Sequence, residues 1–404
     1  MTDKPLPTGF ELLEIDPAYR ADPYARLAEL RERCPVRLDP AFNQYVLTRY
    51  EDVKAIVNDR TLLRHPREAD PNSMFHRFID QRPEPNDGES ILFMDDPDHA
   101  RVRVPLTKVF YKRAGKMRGD VEAIVREVLD DLGARRSFDI INDFGIPIPI
   151  LVIAKVLGVE KERLREFREW SEGVILGLHI GRSPEQTVQM LAAQKSLREY
   201  FLAAMDERRR RPKDDLITDL VQIQADGAEL SDAEICINAS ALLVGGNLTT
   251  TDLIGNGVYA LLNNPGELDK LKADPKLASN AVEEILRFES PISLTSRVAS
   301  REMEVGGCPV HKTQPLMTYL RAANRDPEVF ADPDRFDITR KHVAHVAFGG
   351  GAHICIGAPL ARMEAQVALP MLFERYPNLH LAKQDFVWRS MPGFRGLERL
   401  VVEA

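Results

Sequence analysis

The sequence predicts a mainly α-helical protein with small β-sheets. Three observations carry this. Helical periodicity runs through most of the 404 residues, strand signals are few and short, and strands do not alternate with helices as βαβ units require.

The clearest helix is Arg118–Leu132, where Val121, Ile124, Val125, Val128, Leu129 and Leu132 form one apolar stripe. Residues 184–211 follow the same period and end in Arg208, Arg209, Arg210 and Arg211 before Pro212. Acids at Asp206, Glu207, Asp214 and Asp215 flank that run. It reads as a solvated helix end with cations on the negative pole of the macrodipole, not as a nucleic-acid patch. Ser231-Asp232-Ala233-Glu234 is a capping box. It opens a largely apolar helix that runs to Asn263-Asn264-Pro265-Gly266, a rod of about 46 Å at ~1.5 Å per residue. Another helix begins at Asp274-Pro275, with proline in its first position, and stops before Pro291. Strands are expected at 45–48 and 303–305, at 309–310 paired with 316–320 behind Gly306-Gly307, and in 379–404 around a turn at Pro392-Gly393. No repeat, low-complexity segment or long linker divides the chain. One domain over 1–404 is expected, with a small β-rich subregion from the N-terminal, 292–320 and C-terminal strands.

A net charge of −8 argues against generic nucleic-acid binding, which needs a basic surface. Residues 1–10 have no basic start followed by an apolar run, so no signal peptide is expected. The most apolar stretch, 144–159, contains Pro147, Pro149 and Lys155 and falls short of the ~20 apolar residues of a membrane span. A cytoplasmic protein without a membrane anchor is the expectation. Cys34, Cys236, Cys308 and Cys355 are scattered, which suits a reducing compartment and gives no zinc-type ligand pairing.

The most informative stretch is Phe348-Gly349-Gly350-Gly351-Ala352-His353-Ile354-Cys355-Ile356-Gly357. Three glycines free the backbone for turns closed to other residues. A helix follows from Ala358-Pro359, so Cys355 sits just before a helix N-terminus, where a thiolate is favoured. Ile354 and Ile356 are expected to keep water from it. Three readings stand on these residues alone: a buried structural thiol, a nucleophile with His353 as base, or a thiolate bound to haem iron.

Phe348-Gly349-x-Gly351-x-His353-x-Cys355-x-Gly357 resembles the haem loop of the cytochrome P-450 family at every fixed position. The resemblance extends from Asp22-Pro23-Tyr24 to the turn at Gly393. It implies the cytochrome P-450 fold, with haem b (iron protoporphyrin IX) between the long central helix and the cysteine loop. Cys355 is then the axial iron ligand, and His353 reaches a haem propionate. The family's helical Glu-x-x-Arg pair is matched by Glu284 and Arg287, and its later arginine by Arg335 in Asp334-Arg335-Phe336. The resemblance assigns these three a buried structural network. His99 and Arg103, with Arg297 on a later strand, match the family's propionate partners.

On the long helix, Leu242, Gly245, Gly246 and Thr249 share a face by three- and four-residue spacing. Close helix packing is one reading of the glycines. The resemblance implies another, a notch that admits haem, dioxygen and substrate, with Thr249 as the family's threonine. The residue before that threonine is usually acidic and supplies protons for oxygen reduction. Here it is Leu248. Asn247 lies about 200° from Thr249 on an ideal helix, whereas Asp252 is one turn beyond on the same side. Asp252, or ordered water, is the expected replacement.

The implied activity is insertion of one oxygen atom from O2 into a small, mostly apolar organic substrate. NAD(P)H electrons arrive through a ferredoxin and its reductase, with docking near the cysteine loop at Arg113 or Arg362. Leu248 raises a peroxide-driven peroxygenase as an alternative, and a non-catalytic haem-based ligand sensor is the reading from another class. Pocket segments are expected near 75–93, 174–179, 242–246, 292–296 and 391–394. They include Leu242, Gly245, Leu248, Leu294 and Phe394.

Overall fold

Ser231 and Glu234 close the expected capping box: Glu234 N–H donates to Ser231 Oγ at 3.2 Å, and Ser231 N–H to the Glu234 carboxylate at 2.8 Å. The helix they open is Asp232–Asn263, 32 residues long. The computed structural model describes residues 5–13, 15–80, 88–179 and 182–404. Residues 1–4 of the N-terminal stretch and the 81–87 part of one expected pocket segment lie outside them.

The chain divides into two compact units. One comprises Met1–Pro83, Asn256–Cys355 and Asp385–Glu398. It holds a four-stranded sheet in the order Val36–Asp39, Gln44–Leu47, Pro315–Thr318, Thr295–Val298. Pro315–Thr318 pairs parallel with Gln44–Leu47 and antiparallel with Thr295–Val298. The expected pairing of 309–310 with 316–320 does not occur. Cys308–Val310 instead folds back on Met303–Val305 through Gly306 and Gly307. Both glycines have positive φ, 56° and 79°, and a β-carbon on Gly306 would lie 2.6 Å from Val36. A two-residue left-handed turn forces the tight hairpin and leaves 315–318 for the larger sheet. The helix Tyr50–Asn58 packs Tyr50, Val53, Ile56 and Val57 into one core with Leu47, Leu316 and Leu320. Full burial of each large apolar side chain there contributes about 1.5–3 kcal/mol.

The other unit comprises Glu84–Gly255, Ile356–Gln384 and Arg399–Ala404. Its helices include Asp98–Ala114, Arg118–Leu132, Pro147–Leu157, Pro184–Arg210, Leu216–Ala225 and Ala358–Arg375. All six stripe residues of Arg118–Leu132 are buried. The apolar segment Ile140–Leu157 is long and apolar enough to cross a membrane, but 67% of it is buried inside the protein, as in a core helix. Val401–Glu403 pairs with both Ser137–Asp139 and His380–Leu381. The arginine run corrects one expectation. Arg208 is 1% exposed; its Nε lies 2.7 Å from Asp215, and it donates to the Gly158 carbonyl at 2.8 Å. Gly158 has φ 78°, and a β-carbon there would sit 2.2 Å from the Asp215 carboxylate. Only glycine lets this buried pair close.

Glu364, on Ala358–Arg375, is 2% exposed, and its Oε2 has no hydrogen-bond partner. Burial holds its carboxyl well above the ordinary value of 4.5. The unfolded chain ionises near that value, so folding takes up a proton and stability declines as pH rises above it. Glu364→Gln removes this liability. Its melting temperature should exceed the parent's by a margin that widens between pH 5 and pH 8, read by calorimetry.

Candidate functional site

The cysteine loop is built by backbone geometry. Cys355 N–H donates to the Phe348 carbonyl at 3.0 Å and closes it. Gly349 and Gly351 have φ of 70° and 63°. A β-carbon on Gly351 would lie 2.6 Å from the Val57 carbonyl oxygen, and one on Gly350 would lie 2.8 Å from the Val57 side chain. Asn58 Oδ1 accepts from Gly351 N–H at 2.9 Å. The end of Tyr50–Asn58 thus seats the loop, and only glycine tolerates the contact. His353 ends a short 3-10 turn, Gly351–His353, and Cys355 is exposed and in no disulfide. Ile356 is 9% exposed, but Ile354 is 46% exposed, so Ile354 does not shield the sulfur as expected. Gly357 precedes Ala358–Arg375 in right-handed helical conformation, φ −78°, which any residue adopts.

Arg297 braces the same loop. It is 3% exposed and donates to the carbonyls of Ser296 at 2.8 Å, Val57 at 2.9 Å and Gly350 at 3.2 Å. Upstream, His345 Nδ1 accepts from Ala347 N–H at 3.1 Å while Nε2 lies 3.0 Å from Glu283. Asn324 Oδ1 accepts from Val346 N–H at 2.8 Å. Asn58, Asn324 and His345 escaped the sequence reading because a single polar residue with a backbone partner leaves no periodic signal.

Glu284 and Arg287 form the expected pair, two parallel bonds of 2.7 Å with both side chains 0% exposed. The expected third member is corrected. Arg335 is 62% exposed and lies 3.5 Å from Asp337. Arg340 takes its place, 13% exposed and 3.3 Å from the Glu284 carboxylate. Arg335 contributes its carbonyl, which accepts from Arg287 and Arg340 at 3.1 Å each. The turn that aims this carbonyl inward sends the Arg335 side chain to solvent.

On the long helix, a β-carbon at Gly245 would meet nothing within 4 Å, whereas one at Gly246 would lie 3.3 Å from Ile153. The open notch is therefore at Gly245, and Gly246 serves close helix packing. Thr249 Oγ1 donates to the Gly245 carbonyl at 2.7 Å, and Leu248 is half-buried. Asp252 is 0% exposed and Leu242 7%. Asn247 is buried, and its carbonyl accepts from Thr251. On Asp98–Ala114, His99 is 3% exposed and Arg103 half-buried. Burial, then repulsion from Arg103, holds the His99 imidazole below its ordinary value of 6.5 despite Asp96 nearby. His99 is mostly neutral at pH 7. Leu294 and Phe394 come together in the first unit: Ile292 bridges Phe394, and a β-carbon on Gly393 would lie 3.7 Å from Leu294. Arg113 is engaged, its Nε 2.5 Å from Asp219 and its Nη1 3.0 Å from Asp214. This weakens it as a docking cation.

A family model described as Cytochrome P450 matches residues 181–396. Cytochrome P450 107B1 of Saccharopolyspora erythraea is 38% identical over 407 residues, which cover 97% of this chain and 97% of that protein. The 6-deoxyerythronolide B hydroxylase of the same organism is 36% identical over 404 residues, covering 96% and 98%. Among solved structures, myxobacterial cytochrome P450 CYP267B1 in complex with myristic acid superposes with a TM-score of 0.88 at 34% identity, covering 96% of this chain and 98% of that one. These matches define a haem-binding oxidoreductase. The chain belongs to the cytochrome P450 family and is a monooxygenase of that family.

The residues fit the implied haem. Cys355 offers a soft, exposed sulfur to iron. Arg297, held by three carbonyls, is a rigid cation of the kind that pairs with carboxylates.

Breaking a buried ion pair by removing one partner costs about 3–5 kcal/mol. Arg287→Ala should yield protein without haem, read from the ratio of Soret to protein absorbance. Arg340→Ala should lower haem content, and Arg335→Ala should leave it unchanged. Equal loss from Arg335→Ala and Arg340→Ala would contradict the assignment of Arg340 as third member.

Proposed function

We propose that this monooxygenase inserts one atom of O2 into a small, mostly apolar organic molecule. The other atom leaves as water, and NAD(P)H supplies two electrons through a ferredoxin and its reductase in the cytoplasm. Haem b held by the Cys355 thiolate would supply the oxygen-activating chemistry. Arg297, His353, His99 and Arg103 would hold its carboxylates, and Phe348 and Gly349 would shape the loop around the sulfur. The whole chain would act as one catalytic domain.

The carrying observation is the Thr249 hydroxyl, bonded at 2.7 Å to the carbonyl of Gly245, whose own face is open. That hydroxyl can give its hydrogen bond to a guest and recover a proton afterwards. Asp252, one turn further and fully buried, is the proposed source of that proton in place of the acid that Leu248 replaces. Leu242, Gly245, Leu248, Leu294 and Phe394 would offer an apolar surface to the substrate. The similar CYP267B1 is in complex with myristic acid, a molecule that is mostly alkyl chain.

The peroxygenase reading draws on Leu248 alone, since an oxidant that brings its own protons and electrons needs no acid there. A comparison of ferredoxin, reductase and NADH against hydrogen peroxide decides between them, after a ligand has been found by its Soret shift. Labelled oxygen in the product from ¹⁸O2 with carriers supports the proposal, and product from peroxide only overturns it. Thr249→Ala should lower product per NADH on the order of 10²-fold while NADH consumption continues. Asp252→Asn should lower coupling in the same direction; unchanged coupling removes Asp252 from the relay.

A further inference from the structure

Two segments proposed to meet substrate, 292–296 and 391–394, are sewn together within one unit. Ser293 N–H donates to the Gly393 carbonyl at 2.9 Å, and Arg395 N–H to the Pro291 carbonyl at 2.8 Å. Ile292 and Phe394 form an antiparallel bridge between them. The apolar residues Ile292, Leu294 and Phe394 are half-exposed, while Ser293 and Gly393 are buried. The seam thus has a fixed inner edge and an available outer one.

Behind this seam lies a charged pair that the haem-loop and Glu284 networks do not use. Glu289 caps the C-terminus of the helix Ala278–Phe288, three residues before the first segment, and is 5% exposed. Its Oε1 accepts from Tyr24 Oη at 2.6 Å and from Arg395 Nε at 2.8 Å. Arg395, the residue after Phe394, is 3% exposed. Its guanidinium stacks on Trp388 at 3.4 Å and donates to the carbonyls of Arg20 and Ala21. Asn256 ties the backbones of the same two residues, donating to the Glu289 carbonyl at 3.0 Å and the Arg395 carbonyl at 2.9 Å. Burial alone would raise the Glu289 carboxyl. Arg395, then Arg321 and Arg325, and the Tyr24 hydroxyl outweigh it and hold the group below its ordinary value. Glu289 is therefore an anion at neutral pH, locked to a cation at the base of each segment.

From this geometry we infer that Glu289 and Arg395 form a latch that fixes the spacing of the 292–294 and 393–394 edges and so sets which substrates fit, with both as positioning residues that never touch the reacting atoms. Two backbone strands joined by two hydrogen bonds slide easily. A desolvated ion pair anchored on Tyr24, Trp388 and Asn256 does not, because each partner left alone would be a buried charge. The pair sits at the base of the seam, so its loss acts on seam geometry and not on the cysteine loop. This inference rests on the proposal that these segments line the substrate space.

The test uses haem-loaded protein and two iron-binding probes, imidazole and the bulky clotrimazole, each titrated by its Soret shift. Imidazole reports iron access alone, and clotrimazole also reports the space around it. In Glu289→Gln and Tyr24→Phe, haem content, the carbon monoxide difference band and imidazole affinity should match the parent. Clotrimazole affinity should shift by tenfold or more, and Glu289→Asp should restore part of the shift. Hydrogen exchange should quicken at the Ser293 and Arg395 amides and not across the helix Arg118–Leu132. Unchanged clotrimazole affinity and unchanged exchange at those amides overturn the latch. So does a uniform rise in exchange with loss of haem, which would make the pair a general stabiliser. Failure of imidazole to bind the parent would count instead against the haem-thiolate reading itself.

Discussion

The Arg287 guanidinium is the fixed point of the unit that carries the cysteine loop. Two of its donors close on Glu284, and others reach the carbonyls of Asn324, Pro333 and Arg335, at distances from 2.7 to 3.1 Å. Glu284 in turn accepts from Asp337 N–H and pairs with Arg340. A fully desolvated pair of this kind is costly unless every donor and acceptor is met, and here the surrounding backbone meets them. One helix pair therefore freezes an irregular segment that has no regular structure of its own. Asn324, whose carbonyl Arg287 holds, passes the order onward through its side chain to Val346, two residues before Phe348.

Order in the loop itself is achieved without side-chain bulk. Gly349 and Gly351 supply left-handed backbone, and Gly350 and Gly351 let Val57 and Asn58 approach closely. Arg297 then bonds carbonyls on both sides of that approach, Val57 and Gly350. A cation for a carboxylate partner is best held by carbonyls, because they fix its direction without neutralising its charge. Val57, whose carbonyl orients Arg297, also packs against the glycines of the loop bearing Cys355, so the cation and the cysteine loop share one framework.

Charge is used differently at three buried places. Arg208 with Asp215 staples two helices through a glycine that leaves room for the carboxylate. Glu284 with Arg287 organises a loop, and Glu289 with Arg395 organises a two-stranded seam. Glu364 is the exception, a buried acid whose proton takes the place of a cation. In each case a polar group is kept in the interior by satisfying it or by neutralising it.

The sequence by itself determined what repeats or what is spelled out in adjacent residues. The stripe of Arg118–Leu132 and the capping box of Asp232–Asn263 follow from helical spacing, and the glycines of the cysteine loop from conformations closed to other residues. Spacing also paired Glu284 with Arg287, since residues three apart on a helix share a face. Tertiary structure decided everything that depends on which way an irregular segment turns. Arg340 and not Arg335 meets Glu284, because the loop aims one carbonyl inward and sends that residue's side chain out. Gly245 and not Gly246 is open, because Ile153 arrives from another helix. Arg208 is buried because Asp215 folds back over Gly158, and Pro315–Thr318 joins the larger sheet because the Gly306-Gly307 turn takes its expected partner. Local pattern fixes which face a residue lies on; what covers that face is settled only by the contacts that folding brings from elsewhere in the chain.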